Sequence, residues 1–182
     1  MQTFGPSLPY APVTADRPRA IYEASLAYNI VQLGDVPVLN KPQAIADYMQ
    51  DAFDRQSAVE TLWVICLNRK NRPISRTMVS HGSATSTIVP VAEFFKIAVL
   101  ASASALVLSH NHPSGDCSLN QTDVATTRRV HEAAKVFDLE FLDHVICGDR
   151  NDDPAGVGHY SFPSAGLVCA AHHPPAAGLL LR

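Results

Sequence analysis

A chain of 182 residues that is 47% hydrophobic is long enough for one domain around a single substantial core. Its formal net charge of −3 and pI near 6.2 create no global basic field, so charge does not point to non-specific nucleic-acid binding. No apolar stretch reaches membrane-span length, the N-terminus lacks a signal core, and Cys66, Cys117, Cys147 and Cys169 form no CxxC pair, so a soluble, cytoplasmic protein with free thiols is expected.

Residues 1–19 carry Pro6, Pro9, Pro12 and Pro18 with little periodic apolar content, which reads as an irregular arm ahead of one domain over 20–168. Tyr22, Ala24, Leu26, Tyr28 and Ile30 alternate as in a half-buried strand. Pro42 suits the first turn of a helix to about Phe53, with Ala44, Ile45, Tyr48, Met49 and Phe53 on its apolar side. The apolar run Thr61 to Leu67 and a second strand from about Ile74 to Ser80 predict a hairpin with its first strand central. Arg69, Lys70, Arg72 and Arg76 surround its turn and read as a solvated basic face.

Val91 to Ala101 is apolar nearly all round, as expected of a helix buried between layers. Ala105 to Leu108 reads as a buried strand. After the Pro113-Ser114-Gly115 break, Asn120 is a good N-cap for a helix with Val124, Thr127, Val130, Ala134 and Phe137 at helical spacing. Glu140 to Ile146, closed by Gly148, and Tyr160 to Phe162 are further strands, and 169–182, with His172 and His173, reads as a flexible tail. Mixed hairpins and strand-helix-strand crossovers predict an α/β three-layer sandwich, one mixed sheet flanked by helices.

The chemistry concentrates in Ser109-His110-Asn111-His112-Pro113. Residues two apart on a strand project to one side, so His110 and His112 can face one point. Asp123 follows eleven positions after His112, in the first turn of the helix that Asn120 caps. Two imidazoles and one carboxylate make a zinc site with a coordination position open to water. Asn120 with Asp123 reads equally as a plain capping box.

The run SHNHPSGD, then Asp123, then Leu142-Asp143-His144-Val145-Ile146-Cys147-Gly148, closely resembles the RadC family of JAB/MPN (JAMM) metalloprotease-like domains over roughly Ile21 to Val168. The resemblance implies a cytidine-deaminase-like layering, one zinc ion per chain, His110, His112 and Asp123 as its ligands, and Glu60 as the catalytic glutamate. It implies a metal-activated water attacking a peptide or isopeptide bond. No helix-hairpin-helix segment of the kind that often precedes the domain in full-length RadC proteins is found ahead of it.

Two positions depart from the family. Asn120 stands where the family has a serine suited to the oxyanion, and loss of one such donor costs about 100- to 1,000-fold in rate; Ser114 and Ser118 lie close by. Cys117 stands where proline is usual, and is read as an ordinary loop thiol, with occupation of the open metal position as a secondary hypothesis. Asp143 and His144 read as structural or supporting residues, His81 and His159 as uncommitted. The absence of HExxH and of the H-x-E with PCxxC pair argues against helix-based zinc proteases and deaminases. His-Asn-His at the end of a buried strand, before a proline, does not suit a nuclease finger. The alternatives are a DNA-repair-associated accessory touching phosphates through Arg69, Lys70 and Arg72, and a catalytically weak metal-binding scaffold, for which Asn120 is the motive. Oligomeric state is not legible.

Overall fold

The computed structural model describes residues 35–55, 58–82 and 91–162. The arm over 1–19, the strand expected at Tyr22 to Ile30, the end of the domain up to 168 and the tail over 169–182 lie outside the described residues.

Pro42 opens α1 (Pro42–Asp54), whose Ile45, Met49, Ala52 and Phe53 recur at helical spacing and are buried. The hairpin follows as β1 (Thr61–Leu67) and β2 (Pro73–His81). In its turn Asn68 Oδ1 accepts the backbone N–H of Lys70 and Arg72, while Asn71 takes a φ of 55°, a left-handed conformation that asparagine tolerates. After it come α2 (Val91–Leu100), β3 (Ala105–Asn111), α3 (Gln121–Val136), β4 (Glu140–Cys147) and the short β5 (His159–Ser161).

The strands form one five-stranded sheet in the order β2-β1-β3-β4-β5. β1 runs antiparallel to β2 and β3, β3 parallel to β4, and β5 antiparallel to β4. Parallel neighbours need a crossover, and α3 is that connection. Side-chain alternation then sorts the strands onto two faces. Ile65, Leu67, Val107, Val145 and Cys147 pack against α1. Leu62, Val64, Cys66, Leu106, Leu108 and Ile146 pack against Phe94, Phe95 and Ala98 of α2 and Val130 and Ala134 of α3. The result is the expected three-layer α/β sandwich with a mixed sheet. Among the described residues no helix is long and apolar enough to cross a membrane.

Three sequence expectations are corrected. α2 is not buried all round: Phe94, Phe95 and Ala98 face the core, while Val99 and Leu100 are 57% and 53% exposed. A helix lying on the outside of a sheet buries one stripe, whatever its other side is made of. Phe137 is the C-cap of α3 rather than part of its buried face, and it stacks on Phe95 with centroids 4.7 Å apart. Arg76 leaves the solvated basic face. Its side chain is 6% exposed, bonded through both terminal nitrogens to Asp51 at 2.6 Å and lying over the Tyr48 ring. Nearly buried, the Arg76 guanidinium is neutralised where it sits, and it ties β2 to α1.

Candidate metal centre

His110 lies at the end of β3 and His112 one residue beyond the strand, and alternation turns both rings to one side of the sheet. β1 pairs antiparallel with β3 with Leu62 opposite His110, so Glu60, two residues further back, falls level with His112. Asp123 comes from the first turn of α3, where the capping box aims it. Asn120 Oδ1 accepts the Asp123 N–H at 2.9 Å, and Asp123 Oδ2 accepts the Asn120 N–H at 3.0 Å.

Glu60, His110 and His112 gather into one group, and Asp123 lies beside the two rings without joining it. His110 Nε2 and His112 Nε2 are 3.0 Å apart. Asp123 Oδ1 lies 3.5 Å from the first and Oδ2 3.8 Å from the second, and ligand atoms of Glu60, His110 and His112 all lie within 4.8 Å of one another. Two donors each about 2.0–2.1 Å from a tetrahedral zinc ion are about 3.3–3.4 Å apart. The observed spacings bracket that value, and the carboxylate contacts are too long for hydrogen bonds.

Hydrogen-bond partners fix where the ring protons sit. A carbonyl can only accept, so His112 Nδ1, 2.7 Å from Asp116 O, carries a proton, and in a neutral ring Nε2 is then the acceptor. Thr127 Oγ1 donates to Asp123 O at 2.7 Å and therefore accepts from His144 Nδ1 at 2.6 Å. His144 Nε2 then accepts from His110 Nδ1 at 2.9 Å, which leaves His110 Nε2 also with a lone pair. With His112 neutral, the two ring nitrogens face each other with lone pairs, a contact that either a shared proton or a bound metal ion relieves; imidazole with carboxylate is a donor set that suits zinc.

Burial reinforces this arrangement. His110 is held well below its usual pKa, first by burial and then by the neighbouring His144 and His112. Burial, with His112 adding, takes His144 down to about 3. Both rings are therefore neutral. Burial raises the Asp123 carboxyl, opposed by the Asn120 backbone N–H and by His112.

The loop after His112 docks on the end of β4. His112 N–H donates to Cys147 O at 2.8 Å and Asp149 N–H to Gly115 O at 2.9 Å. A Cβ on Gly148 would fall 2.1 Å from Gly115 O and 2.7 Å from Cys117 Sγ, so only glycine permits this approach. Cys117 contacts Gly115 O at 3.8 Å, and burial pushes its thiol up to about 12. It is a protonated thiol and does not join the clustered ligands, in keeping with the loop-thiol reading.

Asn120 is occupied as a cap, with its amide nitrogen as its remaining donor. His144 backs His110 as a supporting residue; Asp143 is bonded instead to Ser161 Oγ at 2.8 Å. His81 and His159 stand outside the cluster. Sequence reasoning missed Thr127, taken for an apolar helix position, and Asn111. For Thr127 one signal existed: it stands one turn after Asp123 on the same helix face. A groove of about 600 Å³ at the start of α3 is lined by Leu119, Asn120, Gln121, Val124, Ala125 and Arg128.

The chain is similar to known proteins throughout this region. The profile of the RadC-like JAB domain matches residues 39–167. A UPF0758 protein of Staphylococcus aureus is 39% identical over 112 residues, covering 62% of this chain and 51% of the relative. One from Pelobacter propionicus is 40% identical over 118 residues, covering 65% and 51%. One from Coprothermobacter proteolyticus is 45% identical over 89 residues, covering 49% and 38%. The chain spans about half the length, or less, of these curated relatives. With the profile covering most of its length, including the strand end that carries both histidines and the helix start that carries Asp123, the chain belongs to the RadC-like JAB domain family.

Proposed function

We propose that this domain is a zinc-dependent amide hydrolase of metallopeptidase or isopeptidase type. His110, His112 and Asp123 would hold one zinc ion per chain, with Glu60 as general base. What carries the reading is the meeting of His110 Nε2 and His112 Nε2 3.0 Å apart with the carboxylates of Glu60 and Asp123 near them, a donor set that suits a metal ion. Zinc, when bound, supplies a Lewis acid that lowers the pKa of water from about 15.7 toward about 7. Glu60 takes a proton from the attacking water and returns it to the leaving amine. Asn120 Nδ2 faces the developing oxyanion, because Oδ1 is held by the cap. The groove beside Asn120 receives an apolar segment of the substrate. Cys66, Cys117 and Cys147 are unpaired thiols, which suits a reducing cytoplasm.

The reading of a DNA-associated accessory through Arg69, Lys70 and Arg72 has less to stand on, since Arg72 is bonded to Val36 O. The test is the metal content of purified protein and of a His110→Ala variant, followed by a screen of peptide and isopeptide substrates with Glu60→Gln as control. One zinc per chain, lost in His110→Ala, with hydrolysis abolished in zinc-saturated Glu60→Gln, is the expected result. Zinc without hydrolysis of any substrate would leave a binding scaffold, and protein that takes up no metal would overturn the reading.

A further inference from the structure

We infer that Asn111, the residue between the two histidines, is the positioning residue for Glu60. The β1–β3 ladder ends at the pair Leu62 and His110. Beyond it the Asn111 side chain replaces the missing backbone pairing. Its Oδ1 accepts the backbone N–H and the hydroxyl of Thr61, each at 2.8 Å, and its Nδ2 donates to the carbonyl of Val59 at 2.9 Å. Val59 and Thr61 are the residues on either side of Glu60. From the β2 side the carbonyl of Glu60 itself accepts the N–H of Gly82 at 3.0 Å. The Trp63 indole N–H holds Thr61 Oγ1 at 3.1 Å.

Asn111 is 6% exposed, and its side-chain oxygen and nitrogen bond these two neighbours of Glu60. Alternation turns it to the face opposite His110 and His112, so it acts on the centre through the Glu60 backbone. The residue type follows from the demand. Aspartate lacks the donor for Val59, serine and threonine are too short to reach both groups, and glutamine is one methylene too long. A carboxylate serving a metal site must be held to within about half an ångström, and on its β3 side this strand end has no backbone ladder beyond Leu62.

The inference rests on Glu60 serving a metal held by His110 and His112. Its test uses Zn²⁺ alone, by chelator competition on the whole chain, with Asn111→Ala, Glu60→Gln and the double variant. Each single substitution is expected to weaken Zn²⁺ binding about tenfold, the lower end for groups that support a metal site. The double variant should match Glu60→Gln within about twofold, because the two changes remove one interaction. Amide exchange at Thr61 should accelerate in Asn111→Ala. If that variant does not fold, Asn111→Asp, which keeps the acceptor and loses the donor, takes its place and should give a smaller loss with the same non-additivity. Unchanged affinity in the single variant, or an equal further loss in the Glu60→Gln background, would overturn the inference. Since no turnover is needed, wild-type protein that binds Zn²⁺ but hydrolyses nothing would sink the hydrolase reading and leave this result to stand by itself.

Discussion

Along β3, Ala105 to Leu108 and Ser109 to Asn111 are buried alike, at most 2% exposed in the first half and 6% in the second, yet they are held by different forces. The first half sits between two apolar layers and is held by burial. In the second half each side chain has a named polar partner: Ser109 bonds Val145 O, His110 bonds His144, and Asn111 bonds Thr61 and Val59. His110 Nε2 alone faces the centre, 3.0 Å from His112 Nε2. The contrast teaches that the centre belongs to the core rather than to the surface. It is a place where burial continues after apolar side chains stop, so every polar atom must be matched.

That division predicts that stability and metal binding can be damaged separately. Leu106→Ala opens a cavity in the apolar half and should cost about 2–5 kcal/mol of unfolding free energy in urea titrations, with Zn²⁺ affinity of the folded protein unchanged. His110→Ala should do the reverse, abolishing Zn²⁺ binding at a much smaller cost to the apo protein. Equal losses of both properties in both variants would erase the distinction between the halves.

Asp143 sharpens the comparison from the other side, since it is a carboxylate placed opposite Val107, within the apolar half. It is 5% exposed, and burial raises its pKa from 3.8 to about 6, against the pull of Ser161 and the backbone N–H groups of His144 and Phe162. A raised folded-state pKa means that the native protein binds this proton more tightly than the unfolded chain. The contribution is fully present below about pH 4 and is lost as pH rises through about 6, a change on the order of 2–3 kcal/mol at 1.36 kcal/mol per pKa unit. Asp143→Asn keeps an acceptor for Ser161 and removes the charge. The stability difference between the variant and wild type, followed by urea unfolding from pH 4 to 8, should grow in the variant's favour between about pH 4 and 6 and then level off. A difference that stays flat across that range would show that this carboxylate is not strained by its surroundings.

How much was legible in the sequence follows the same line. β3 was readable because four apolar residues in succession state their burial outright, and the start of α3 because Asn120 and Asp123 act on each other across one helical turn. The pairing of His110 with His112 needed only the strand period. Asn111 was not readable, and Thr127 only as the residue one turn after Asp123, because their partners lie 50 and 17 residues away in the chain and their types are ordinary for a strand end and a helix. Arg76 was misplaced for the same reason: its neutralising Asp51 is 25 residues earlier. The buried side of α2 depended on which layer lay beside it, which no local pattern records.

The smallest effect expected concerns that unread helix residue. Thr127→Val keeps shape and burial while removing the hydroxyl that accepts the His144 Nδ1 proton. Without this acceptor His144 is free to carry its proton on Nε2, facing His110 Nδ1. His110 would then hold its own proton on Nε2, and the lone pair directed at the centre would be lost. Zn²⁺ affinity should fall about 10- to 100-fold, the range for groups that orient a metal-binding histidine, which is about 1.4–2.7 kcal/mol. Thr127→Ser retains the hydroxyl and should bind as wild type does, which separates tautomer control from packing. Chelator competition on the three proteins decides the matter: valine and serine variants that bind Zn²⁺ equally would show that the hydroxyl plays no part in aiming His110, and that the second half of β3 is held by shape, like the first.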